Sequence, residues 1–249
     1  MKKTKRALLG RSAKPVRIAC INRAKNSLDV SMAKLTAALQ KCYDRHFLPV
    51  WGYPIALYNT SRPKPTDWQL IYFDNPDQRK GLLGRHELTY RGQPISKIFV
   101  ETVLASGETV SMAASHELFE MVLDPMANLW ADKNKRTQYA YEVCDAVEEE
   151  YFTVDGLRMS NFLYPSWFEP FDHPRGTKFD HLGSLKEPFS MTEGGYLIKR
   201  VDGKDVVKAF GSTAKRRRFE SEDRRGHRSE FRDPLGVHIA PRRRRKKAA

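Results

Sequence analysis

Apolar residues fall first into a β-branched block and then into three- and four-residue steps. Val16 to Asn22 (VRIACIN) reads as a buried strand. Leu35, Leu39, Cys42 and Tyr43 recur at helical spacing. A helix is therefore expected from an N-cap at Asp29 or Ser31 to about His46, with Pro49 just beyond it. Tyr53 to Tyr58, Gln69 to Phe73 and Ser96 to Leu104 (SKIFVETVL) read as three further strands, separated by segments rich in Pro, Gly, Asp and Asn. A second helix is expected from about Thr109 to Leu123. It stops before Pro125, because a proline disfavours helical geometry in the residue ahead of it. The order strand, helix, three strands, helix defines an α+β first half.

Beyond Asn128 the periodicity fades and aromatic residues alternate with turn formers. Trp130, Tyr151, Phe162, Trp167 and Phe189 supply the core of a loop-rich C-terminal sub-domain. Gly194 and Gly195 precede a short strand, Tyr196 to Arg200, which the VDGKD turn pairs with Val206 to Phe210.

Charge divides the chain. Of 249 residues, 44 are Lys or Arg and 30 are Asp or Glu, a net charge of +14. Residues 1–17 contribute +7 and residues 213–249 contribute +9; subtracting both from +14 leaves −2 for residues 18–212. The expected organisation is a basic arm (1–15), a sheet with its helices (16–128), the aromatic sub-domain (129–212) and a basic tail (213–249) disordered without a partner. Lys215, Arg216, Arg217 and Arg218, then Arg224 and Arg225, then Arg242, Arg243, Arg244, Arg245, Lys246 and Lys247 form three blocks suited to neutralising nucleic-acid phosphates. The alternative for these blocks is a solvated tail or docking on an acidic protein. Cys20, Cys42 and Cys144 are too few and too odd for a disulfide framework, which points to a reducing compartment. No apolar run approaches the roughly 20 residues that span a bilayer, and Ala7, Leu8 and Leu9 are too short for a signal peptide. Neither a membrane partner nor secretion by that route is expected.

The second helix carries the chemistry. Between Val110 and Leu123 the ionisable residues are His116, Glu117 and Glu120, on a helix otherwise apolar or small all round and hence buried. A buried carboxylate is costly unless paired or metal-bound. His116 and Glu120 lie about 40° apart around the axis, one turn from each other, so both can reach one ion, while Glu117 points to its flank. Zinc hydrolysis needs such a set: two helix ligands and a carboxylate that takes a proton from the activated water. The alternative is a structural polar cluster in which His116 and Glu120 pair with each other or with a buried Arg or Tyr. For a third ligand, Asp145 comes first and Glu142 second, since the YEVCD segment follows a loop long enough to fold back. Asp124 lies about 12 Å along the axis from His116, which assigns it to helix termination or to orienting His116 from behind. His173 and His181 are outside candidates, and Tyr141 or Tyr164 is a candidate oxyanion donor. Arg85-His86-Glu87-Leu88 has no partner at the fourth step and reads as a loop or strand edge. Glu148 to Glu150 reads as a solvated turn, and Cys144 lacks a catalytic frame. No phosphate-binding glycine fingerprint occurs.

The helix resembles the HExxH active-site helix of zincin metallopeptidases, with Glu120 where the second histidine normally stands. The resemblance implies a zincin-like fold: a twisted mixed sheet whose edge strand aligns the substrate and is followed by the active-site helix, Ser96 to Leu104 being that strand. SHELFEMVLDP, YEVCDAVEEEY, DGLRMSNFLYPSWFEP, FDHLG and GGY further resemble a group of proteins encoded by tailed phages and prophages, over roughly Ile95 to Ile198. Together they imply zinc as cofactor, Glu117 as the catalytic base, a peptide or protein substrate, and a phage virion or host bacterial cytoplasm as location. A non-catalytic virion protein on the same scaffold, its arms binding packaged DNA or neighbouring virion proteins, is the alternative. Glutamate is an anionic zinc ligand that lowers Lewis acidity and admits other divalent ions.

Overall fold

A computed structural model describes residues 14–25, 28–76 and 81–220. The architecture is α+β. Strand β1 (Val16–Asn22) leads into helix α1 (Met32–Cys42), capped by the Ser31 side chain, which accepts the Lys34 N–H. The helical path does not stop there. A π-helical stretch, Tyr43–Phe47, carries it into α2 (Leu48–Trp51), where Pro49 occupies the first turn and its missing N–H costs no bond. Proline thus sits inside the helical path, not beyond it.

Four strands follow, not three: β2 (Ile55–Asn59), β3 (Trp68–Phe73), β4 (Gly84–Leu88) and β5 (Pro94–Phe99). The five strands form one sheet in the order β2-β1-β3-β5-β4. Its first four strands run parallel, and β4 pairs antiparallel with β5 at the edge. Two expectations are corrected here. The strand drawn through Ser96 to Leu104 ends at Phe99, and Val100–Ala105 turns into helix α3. Its strand portion lies between β3 and β4, so the edge is β4, the segment read as a loop or strand edge from its sequence. Charged Arg85 and Glu87 hid β4: both point to the second face of the sheet, where Glu87 pairs with buried Lys97 and lies 3.2 Å from Arg85.

Helix α4 (Val110–Leu123) is capped by Thr109 and packs against β4, β5 and a later strand, Leu157–Ser160. Phe119 stacks on Phe47 with ring centres 4.5 Å apart and meets Phe162 edge-on at 5.4 Å. Burying a ring of this size contributes about 2–3 kcal/mol. These contacts join α4 to both halves of one core, which runs from Ile18 and Leu70 in the sheet to Trp167 and Phe189.

The C-terminal half is more regular than its sequence suggests. β6 (Trp130–Asn134) and β7 (Thr137–Ala140) join β10 (Tyr196–Val201) and β11 (Lys204–Ala209) in an antiparallel sheet, and β8 (Tyr151–Val154) pairs with β9 (Leu157–Ser160). The VDGKD hairpin forms as expected. Asp202 and Gly203 have φ of 49° and 79°, and Asp155 and Gly156 repeat that left-handed pair at the β8–β9 turn. The tail, expected to lack order from Thr213, instead begins as helix α5 (Thr213–Glu220), seated by Phe219 against Tyr196 at 5.1 Å. Among the described residues no helix is long and apolar enough to cross a membrane.

Candidate metal centre

Three elements converge on the buried face of α4. From α4 come His116 and Glu120, one turn apart, and Glu117, on a helix tied to the sheet by Ser96, whose hydroxyl donates to the Glu117 carbonyl at 2.9 Å. Ser96 is the register partner of His86 in β4, so the same register carries the imidazole of His86 to α4. On the other side Ser111 Oγ donates to the Arg158 carbonyl at 2.7 Å, and the Ser160 N–H donates to Ser115 Oγ at 2.8 Å, which ties α4 to β9. The chain leaving β7 then crosses over the helix with Glu142 and enters a 3-10 turn, Asp145–Val147.

His116 Nε2 lies 3.3 Å from Glu120 Oε1 and 3.4 Å from Asp145 Oδ1. Ligand bonds of about 2.0–2.1 Å in a tetrahedron place neighbouring ligand atoms about 3.3 Å apart. The two edges at His116 Nε2 match that value, so these residues could hold a small divalent ion. The Cys144 N–H donates to Glu120 Oε1 at 3.2 Å and holds that carboxylate toward His116. A second group, His86, Glu120 and Glu142, lies beside the first; in each group the ligand atoms are all within 4.8 Å of one another. His86 Nδ1 is 3.5 Å from Glu120 Oε2 and 3.7 Å from Glu117 Oε2, and its Nε2 is 3.9 Å from Glu142 Oε2.

Glu117 is 7 % exposed, and its Oε2 is buried without a hydrogen-bond partner among the described residues. A buried carboxylate oxygen in that state calls for a cation or a proton. Gly84 makes room for it: a Cβ there would stand 2.6 Å from Glu117 Cγ and 2.7 Å from Oε1.

Charges in the cluster shift one another strongly. Burial works against protonation of His116, but the Glu120 charge, with Cys144 and Asp145, outweighs it and holds the imidazole well above its ordinary range. Burial likewise opposes ionisation of Glu120, and the charge of His116 overrides it, so Glu120 sits well below the usual carboxylate range. Asp145 moves the other way, pushed up to about 7 by burial and then by the Glu120 charge. The arrangement is a cation-seeking site in which the histidine's proton takes the position a metal ion can take.

The other residues singled out from the sequence lie elsewhere. Asp124 accepts the Asn128 and Leu129 N–H groups, each at 3.0 Å, which closes the turn after α4. Those bonds fit helix termination. His181 stacks on Phe162 at 4.8 Å beside His46, and burial, followed by the charge of His46, lowers it to about 4. Tyr164 Oη lies 3.3 Å from His181 Nδ1, Tyr141 stacks on Phe168 at 4.0 Å, and His173 packs between Phe171 and Phe179. All three cysteines are free and buried. Of the basic blocks, Lys215, Arg216, Arg217 and Arg218 fall within α5, while Arg224, Arg225 and Arg242 to Lys247 lie outside the described residues. His86 is the residue that sequence reasoning missed. Its signal was the alternation Gly84, His86, Leu88 on one face of a strand, not a helical spacing.

No protein-family model, curated protein or solved structure matches the chain.

Proposed function

We propose that the chain is a zincin-like, metal-dependent hydrolase of peptide bonds in which His116, Glu120 and Asp145 hold zinc and Glu117 is the catalytic base. The observation that carries this reading is the approach of Glu120 and Asp145 oxygens to His116 Nε2 at 3.3 and 3.4 Å, the edge length of a tetrahedral zinc site, with Glu117 Oε2 lacking a hydrogen-bond partner among the described residues at the flank. When bound, the ion supplies Lewis acidity toward a carbonyl and acidifies a water. The chain's own residues do the rest. Glu117 takes a proton on Oε2, and Gly84 leaves space for it to do so. Cys144 N–H fixes the direction of Glu120. The antiparallel strand β4 at the end of the sheet, next to α4 in space, supports the zincin comparison. Glu120 in place of a second histidine lets the site take other divalent ions as well.

A tailed-phage or prophage setting, in the virion or the host cytoplasm, is part of the proposal. It rests on the sequence words of residues 95–198. A second reading, a virion protein whose arms bind packaged DNA or neighbouring subunits, is favoured by the confinement of positive charge to the two ends.

The deciding experiment measures bound metal in purified protein together with turnover of unfolded protein or peptide substrates. Glu117→Gln is expected to retain metal and to lose turnover by about 10²- to 10⁴-fold. Absence of metal, absence of turnover by the metal-loaded wild type, or equal turnover by Glu117→Gln would sink the reading.

A further inference from the structure

Glu120 belongs to both ligand groups, and its two oxygens divide between them. We infer that the site takes two divalent cations bridged by the Glu120 carboxylate, one held with His116 and Asp145 and the other with His86 and Glu142. The inference rests on the metal-site reading above and adds a second ion and its ligands.

The division of Glu120 is geometric. Oε1 faces His116 Nε2 at 3.3 Å and accepts the Cys144 N–H, while Oε2 faces His86 Nδ1 at 3.5 Å. A carboxylate arranged in that way spans two ions, which in paired sites stand about 3.5–4 Å apart. The ion beside His116 then has one imidazole, Asp145 and Glu120 Oε1; the ion beside His86 has one imidazole, Glu120 Oε2 and Glu142, whose Oε2 stands 3.9 Å from the far ring nitrogen, Nε2, and within 4.8 Å of the atoms of its group.

Charge points the same way. Glu117, Glu120, Glu142 and Asp145 place four carboxylates beside two imidazoles, and all four are buried. In the metal-binding form, with both imidazoles neutral and all four carboxylates ionised, the cluster would carry −4, which two divalent ions bring to zero. Uncompensated buried charge is the most costly condition a site can hold. Glu117 supplies the independent sign of a missing cation. Its Oε2 has no hydrogen-bond partner among the described residues and is aimed at the His86 side of the cluster, 3.7 Å from Nδ1. The second position, with two carboxylates and one nitrogen, suits manganese as well as zinc.

The test uses the full-length chain, stripped with chelator, reloaded with zinc or manganese, freed of loose metal and measured by elemental analysis. The wild type is expected to hold two ions per chain. His86→Ala and Glu142→Gln are each expected to hold one. Manganese at two equivalents is expected to give the paramagnetic resonance spectrum of a spin-coupled pair, a wild-type measurement that decides the matter should the buried-site variants fail to fold. Saturation at one ion, with isolated-ion spectra and no change in His86→Ala, overturns the pair while leaving the single-ion reading intact. Absence of any bound metal overturns both.

Discussion

Gly84 decides where Glu117 can be. A methyl group at that position meets Cγ and Oε1 of Glu117 at 2.6 and 2.7 Å, well inside contact distance, and the atoms it meets are the movable end of a side chain. The fold should therefore accept Gly84→Ala by swinging the carboxylate aside. Metal content is expected to stay at the wild-type level while turnover falls about 10²-fold, the usual effect of displacing a reacting group by an ångström. Elemental analysis beside an activity assay separates the two, and unchanged turnover would remove Gly84 from the machinery. Residue-scale legibility was uneven for a physical reason. His116, Glu117 and Glu120 were readable because three ionisable groups on an otherwise apolar helix have no cheap place to go. Asp145 followed from loop length. His86 was hidden because strand residues reach the site through register with β5, and register is not written in the spacing of one segment.

At the scale of elements, the 3-10 turn that presents Asp145 has little freedom. Thr192 N–H donates to the Ala146 carbonyl at 3.0 Å, and Gly195 lies so close that a Cβ there would stand 2.3 Å from that oxygen and 3.2 Å from the Asp145 carbonyl. Here the obstacle is backbone, which cannot swing aside, so Gly195→Ala must move the turn. Its expected effect is the reverse of Gly84→Ala: metal affinity falls by about 10- to 100-fold, the range seen when the support of a ligand is removed. Competition with a chromogenic chelator measures it, and an unchanged affinity would show that Asp145 is not held by this contact. The GGY segment looked like a strand lead-in from sequence; its packing role is visible only once the turn and strand are brought together. The same limit explains the helices and strands that were misplaced. Val100 to Leu104 is β-branched and was read as strand, yet the chain has already left the sheet after Phe99. The β6–β7 hairpin went unread because exposed, charged residues dominate it.

At the scale of the whole molecule, positive charge and the carboxylate cluster occupy different parts of the chain. Its net charge of +14 resolves into +7 over residues 1–17, +9 over residues 213–249 and −2 over residues 18–212, and the carboxylate-rich cluster lies in the last of these, bounded by β4, α4 and the turn at Asp145. A cluster of negative charge repels a polyanion, so any contact with nucleic acid is expected of the basic ends. The body also closes before the tail's last blocks begin, because Phe219 of α5 is packed against Tyr196 of the second sheet. Removal of residues 221–249 is therefore expected to leave metal content and thermal stability unchanged while deleting Arg224, Arg225 and Arg242 to Lys247. Each phosphate neutralised by such residues adds about 0.9 to the slope of log affinity against log salt. For the full chain on double-stranded DNA a slope of several units is expected, insensitive to sequence, and the truncated chain should lose most of it. Fluorescence anisotropy across a salt series measures both. A flat response of the full chain would assign the arms to an acidic protein surface instead, and an unchanged slope after truncation would move the contact to residues 1–17 or to α5, where the remaining basic residues lie.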